Sequence, residues 1–252
     1  MNKQIITILI LSIVLLAIIF FIIKNMNDPL SERIYIINTY LYIYASLIII
    51  ILFSTIMDKF DLFQELNTVT LLIIFILSIV SIFGIIFTPT GNHLLKHIFL
   101  LLLLFSLSVI AYQWYKIALN NNTLWQVIIT LGAIMLGLTI YAYTQPLDAF
   151  NSWGSYLMIG LSGLITVQIA DMIFGSSSGL LGRSKIYSWI AIIIFGGFLL
   201  YDTQNIRKNA ILITNSCPSR NQLECADYPR ESIGVVLDLI NLFANLVNVN
   251  TG

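Results

Sequence analysis

Three acids interrupt otherwise apolar stretches of this chain. Asp171 lies near the end of one such run, Asp202 just past another, and Asp238 near the middle of the last. A charged side chain at the centre of a membrane helix costs about 2.5–3.5 kcal/mol on insertion scales, so acids in such places mark the first candidates for chemistry. No Lys or Arg falls inside any of the apolar runs. Carboxylates without a basic neighbour must be protonated, share a proton, reach water or meet a cation. Around Asp238 the pattern extends. Glu231, Gly234, Asp238, Asn241, Asn245 and Asn248 follow at steps of three and four, which places them on one face of a helix. The opposite face is Leu, Ile, Phe and Val. Such a stripe either lines a polar path or supplies hydrogen-bonding glue between helices, and the two readings weigh about equally for the asparagines alone. Asp238 favours the path, because glue does not require an acid. Asp171 is a candidate third acid that fits equally well in water at its helix end.

The elements that must hold these residues follow from composition. Of 252 residues, 58% are hydrophobic and 10% charged, against roughly 45–50% and 25% in soluble domains. Mean hydropathy is +0.93, and a water-soluble monomer is excluded. Twelve basic and twelve acidic residues cancel, so there is no electrostatic footprint for nucleic acid. Eight runs reach or approach the length of a membrane helix: Ile5 to Ile23, Ile34 to Met57, Val69 to Phe87, Ile98 to Tyr115, Leu124 to Tyr143, Trp153 to Phe174, Ile186 to Tyr201 and Ile233 to Val249. Continuous apolarity argues for helices over barrel strands, which would alternate. Trp114, Trp125, Trp153 and Trp189 fall near run ends, at headgroup level. The first run has no small-residue cleavage site at Phe21-Ile22-Ile23-Lys24, and a retained anchor is expected. Seven basic residues on the odd connectors (Lys24, Arg33, Lys96, Arg207, Lys208, Arg220, Arg230) against five on the other side predict odd connectors in the cytosol.

Asp202 sits in Tyr201-Asp202-Thr203-Gln204, and Asp238 in Leu237-Asp238-Leu239-Ile240-Asn241-Leu242-Phe243. With Asp227-Tyr228 before the last helix, these motifs resemble the Bax inhibitor-1 family, also called the transmembrane BAX inhibitor motif family. The resemblance implies an all-α polytopic membrane protein. Residues 1–33 would form an N-terminal transmembrane anchor and connector, and residues 34–252 a seven-helix Bax inhibitor-1-like domain. It further implies a pH-sensitive calcium leak in the endoplasmic reticulum or another internal membrane, with an effect on cell death. Asp202 and Asp238 would be its proton-sharing, ion-gating pair and a transient calcium site; Glu231, Asn241, Asn245 and Asn248 would line the pore. No cofactor is expected, calcium being the transported ion, and the partners would be lipid, calcium, protons and apoptosis-regulating membrane proteins. The chain departs from the family pattern in its extra first span, in a long last connector carrying Cys217 and Cys225, and in lacking a basic C-terminal tail.

Two other classes compete. Intramembrane aspartyl proteases also place Tyr-Asp on one helix and Asp on the next. Their second motif is Gly-x-Gly-Asp, however, where this chain has Val236-Leu237-Asp238, and the expectation is a non-enzyme. A non-conducting interaction protein is the remaining alternative. His93 and His97 are spaced to share a metal, yet interfacial histidines beside Lys96 are the better reading. Gly175 to Gly179 is a connector without phosphate-loop chemistry. Cys217 and Cys225 form a disulfide only if their connector faces an oxidising compartment, and the predicted orientation makes them cytosolic and reduced. The sequon Asn121-Asn122-Thr123 falls in a connector predicted to be lumenal.

Overall fold

The computed structural model describes residues 3–63, 68–174 and 185–251. Among them, every element is helical: α1 (Lys3–Met26), α2 (Glu32–Lys59), α3 (Thr68–Phe87), α4 (His93–Asn120), α5 (Leu124–Thr144), α6 (Trp153–Phe174), α7 (Lys185–Ser216), the single turn α8 (Gln222–Cys225) and α9 (Tyr228–Thr251). Seven of these are long and apolar enough to cross a membrane within the described residues, and α6 adds a shorter apolar stretch, Trp153–Val167. The chain is an all-α polytopic membrane protein, in which an additional N-terminal helix precedes seven other long helices among the described residues. Lipid is the natural covering for its surface: α1 exposes Ile13, Leu16 and Phe20, and α3 exposes Val69, Leu72 and Phe75.

Helix ends differ from hydropathy where polar residues continue the helix past the apolar run. Helix α7 begins one residue before its predicted start and runs fifteen past its predicted end, through Asp202, Arg207 and Lys208 to Ser216. At 32 residues it is about 48 Å long, well beyond the roughly 30 Å hydrocarbon core. Helix α4 starts at His93, which takes Lys96 into its first turns. Ser31 caps α2 by accepting from the Ile34 N–H at 3.3 Å, and Glu32 follows in the first turn.

Two compact units divide the chain: Met1–Tyr115 with Ile206–Val236, and Lys116–Asn205 with Leu237–Gly252. The first unit holds a core of Leu30, Tyr35, Ala210, Cys217, Ala226 and Tyr228, against which Met26, Tyr42 and Cys225 pack. In the second, Ala142, Phe150 and Leu200 form a smaller core with Leu138.

One expectation is overturned in the first unit. Cys217 and Cys225 are joined in a disulfide, where the predicted orientation makes them reduced. The seven-to-five count of basic residues was a narrow basis for that orientation, and it treated Lys96 as a solvated connector charge. Lys96 is in fact 2% exposed and ion-paired.

Candidate functional site

The Tyr201-Asp202-Thr203-Gln204 motif lies within α7, in the second unit. Its Gln204, 2% exposed, accepts from the Phe150 N–H at 3.0 Å and donates to the Pro146 carbonyl at 2.7 Å, so one amide clasps the α5–α6 connector. Tyr201 lies against Gly154, where an added Cβ would approach its ring to 2.9 Å. Leu200, just before the motif, packs with Phe150. Asp202 itself is half-buried in this setting. A buried amide making both its bonds fixes the helix register in a way hydrophobic contact alone cannot.

Asp238 lies in α9 among the most buried residues of that helix. Leu239 and Leu242 are fully buried beside it, and Asp238 is 6% exposed. Its Oδ2 is enclosed without a hydrogen-bond partner among the described residues. Burial acts on this carboxyl first, and the charge of Asp202, in the same unit, second. The pair singled out by sequence is thus within electrostatic reach inside one unit, and it includes a carboxylate oxygen that the protein does not satisfy. An unmet buried carboxylate oxygen is costly unless a proton or a cation occupies it.

The rest of the stripe divides. Asn241 and Asn245 are half-buried, and their amide nitrogens donate to the Leu237 and Asn241 carbonyls, four residues back on α9, at 2.8 Å each. Those donors serve the helix's own turns and not a neighbour, which weakens the glue reading. Asn248 is half-buried. Glu231 belongs to the first unit, where the Asn209 amide nitrogen donates to both its oxygens at 3.0 Å. Asp171 falls in the last turns of α6, and its side chain lies outside the described residues, as do Gly175 to Gly179.

Sequence reasoning missed a second polar cluster, in the first unit. Lys96 of α4 forms a buried ion pair with Asp227. Asp227 also caps α9, its Oδ1 accepting from the Arg230 N–H at 3.3 Å. Beside Lys96, the His97 Nδ1–H donates to the His93 carbonyl at 2.7 Å, and Nε2 meets the Tyr42 hydroxyl at 2.9 Å. Both ring nitrogens of His97 are therefore engaged. Tyr42 stacks on Tyr228 with centroids 5.5 Å apart. The signal for the ion pair was present in Asp227-Tyr228, but Lys96 is 131 residues away. Among the described residues, no group of three or more His, Cys, Asp or Glu gathers as a metal site.

The sequence model of the family described as "Inhibitor of apoptosis-promoting Bax1" matches residues 32–250. The chain belongs to this family. The match begins at the first residue of α2, so α1 lies outside the part shared with the Bax inhibitor-1 family, while Asp202, Asp227 and Asp238 lie within it. Relatives include an uncharacterized protein of Borreliella burgdorferi, 34% identical over 119 residues, which are 47% of this chain and 47% of that one. Protein LIFEGUARD 3 of Arabidopsis thaliana is 28% identical over 162 residues, 63% of this chain and 56% of the relative. A membrane protein of Vibrio cholerae is 26% identical over 118 residues, 47% of this chain and 44% of the relative. The matched stretches thus span about half the length of these curated relatives.

Proposed function

We propose that this member of the Bax inhibitor-1 family is a pH-sensitive calcium leak, gated by a proton shared between Asp202 and Asp238. The observation that carries the reading is the buried, unpartnered Oδ2 of Asp238 under the charge of Asp202. Two carboxylates in electrostatic reach of each other, in a site of low dielectric, do not easily both ionise. One proton held between them keeps the site closed to a second charge. Its loss leaves two negative charges, and these repel each other or recruit a cation, either of which shifts the packing of α7 against α9. Calcium suits such a site because it takes hard oxygen ligands from carboxylates, carbonyls and water in a flexible shell. Half-buried Asn241, Asn245 and Asn248 extend polarity along α9 away from the pair and serve as pore-lining groups; Glu231 opens the same stripe, before Gly234 and Asp238 in the chain.

On this reading residues 34–252 are the conducting domain and residues 1–33 an added anchor, and the protein carries ions without catalysing a reaction. Its home is the endoplasmic reticulum or another internal membrane in a cell that has them, where calcium release modulates cell death. The test is calcium flux through purified protein in liposomes, measured across the range around neutral pH. The parent protein is expected to leak with a pH-dependent rate, and Asp202→Asn and Asp238→Asn to flatten that dependence. An unchanged pH profile in both folded variants overturns the gating pair. No leak at any pH favours the non-conducting interaction protein instead.

A further inference from the structure

The long connector between α7 and α9 is tied into the first unit by side-chain bonds, and these converge on the end of the helix that the family match leaves out. The disulfide joins Cys217 to Cys225 across a separation of 8 residues. Within that closed loop lies Gln222, 1% exposed. Its Nε2 donates to the carbonyls of Asn25 and Asp28 at 2.6 Å each, where α1 ends and its connector begins. Its Oε1 accepts from Asn38 Nδ2 at 2.9 Å and from the Tyr228 hydroxyl at 2.7 Å. All four hydrogen-bonding positions of one amide are thereby used, on α1, α2, α9 and the first connector. Two further bonds seal the arrangement: Asn25 donates to Asn38 Oδ1 at 2.9 Å, and the Leu30 N–H to the Arg220 carbonyl at 2.8 Å. Both cysteines belong to the same apolar core as Leu30, Tyr35 and Tyr228. Two residues past Cys225, Asp227 makes the buried pair with Lys96.

We propose that the Cys217–Cys225 loop is a redox clasp, which when closed holds Gln222 against the end of α1 and when opened lets that end of the first unit loosen. Closure requires an oxidising compartment, so the clasp also orients the chain. The α7–α9 connector faces the oxidising side and, with eight crossings, both termini face the reducing side, the reverse of what the count of basic residues predicts. Asn121, on the opposite side from the clasp, is then an unmodified sequon. Opening is a thiol–disulfide exchange with a dithiol. A thiolate of the dithiol attacks Cys225, the more accessible sulfur, and a mixed disulfide forms as the Cys217 thiolate leaves. The second thiol of the reagent then displaces Cys225. Two electrons pass to the protein, two protons complete its thiols, and the reagent leaves as a cyclic disulfide.

The experiment is amide hydrogen exchange on the full chain in lipid nanodiscs, oxidised, reduced with dithiothreitol, and reoxidised. Reduction is expected to speed exchange about tenfold or more in residues 24–38 and 216–230, reversibly, while α5 is unchanged. Cys217→Ser with Cys225→Ser should match the reduced state. If that variant does not fold, Gln222→Ala keeps the disulfide and should still loosen residues 24–30. Unchanged exchange after full reduction, or in Gln222→Ala, overturns the clasp. So does alkylation of both cysteines in native membranes without prior reduction. None of these readouts depends on ion flux, so the clasp and the calcium leak fail or stand separately.

Discussion

Asp227 and Asp238 stand at the start and the middle of one helix, and the protein treats them in opposite ways. Asp227 has both oxygens in use, one on Lys96 and one on the Arg230 N–H that opens α9. Asp238, buried as deeply, has Oδ2 without a partner among the described residues, and beyond its burial the influence on it is the charge of a second acid. A fully engaged carboxylate is part of the scaffold, because removing it strands what it held. An unsatisfied one is tolerated only where something else visits it. Burial of an acid is therefore not the mark of a working site; the mark is what the chain leaves undone around it.

That contrast breaks most visibly at Asp227. Replacing it with Ala leaves the Lys96 ammonium buried without a partner and should cost about 3–5 kcal/mol, seen as a large fall in the thermal midpoint of the purified protein. Lys96→Met in the same chain should restore much of it. In the absence of added divalent cation, Asp238→Ala, which removes an unmet group, should leave the midpoint nearly unchanged; equal losses at the two positions would end the distinction. Gln204→Ala comes next. It strands the Phe150 N–H and the Pro146 carbonyl, and a loss of about 1–3 kcal/mol is expected in the same measurement, accompanied by an altered pH profile of flux because Asp202 loses its frame. The smallest effect is expected for Asn241→Ala, since its amide serves only a carbonyl of its own helix: within about 0.5 kcal/mol. A larger loss would show that Asn241 holds a neighbouring helix after all.

Much of this architecture could be read from the residues. The run Trp153 to Phe174 coincides with α6, and Leu124 to Tyr143 ends one residue short of α5, because lipid solvation demands continuous apolarity and the connectors break it abruptly. Asp202 and Asp238 were conspicuous for the same reason, in a chain with so few charges. Hydropathy failed where a helix leaves the apolar zone without ending. Asp202 to Ser216 is polar in composition, but its backbone bonds carry on. Lys96 was misjudged because its partner is remote in sequence, and a lysine beside two histidines looks solvated until Asp227, at the start of α9, is brought to it. The state of the two cysteines depended on orientation, and a small excess of basic residues is a poor guide when one of them is neutralised inside the protein. Gln204 and Gln222 carry no motif that announces a buried amide; their importance comes from the backbone carbonyls brought to them by folding.

The empty valence at Asp238 also has a thermodynamic consequence. A cation that occupies it binds the folded chain and finds no such assembled site in the unfolded one, so its free energy of binding adds to the free energy of folding. At a hundredfold excess over its dissociation constant, a single occupant adds about 2.7 kcal/mol. The fold thus works as an assay for its own ligand: among ions offered to the purified protein, the one that Asp238 accommodates is the one that raises the melting temperature of the parent and leaves that of Asp238→Ala where it was.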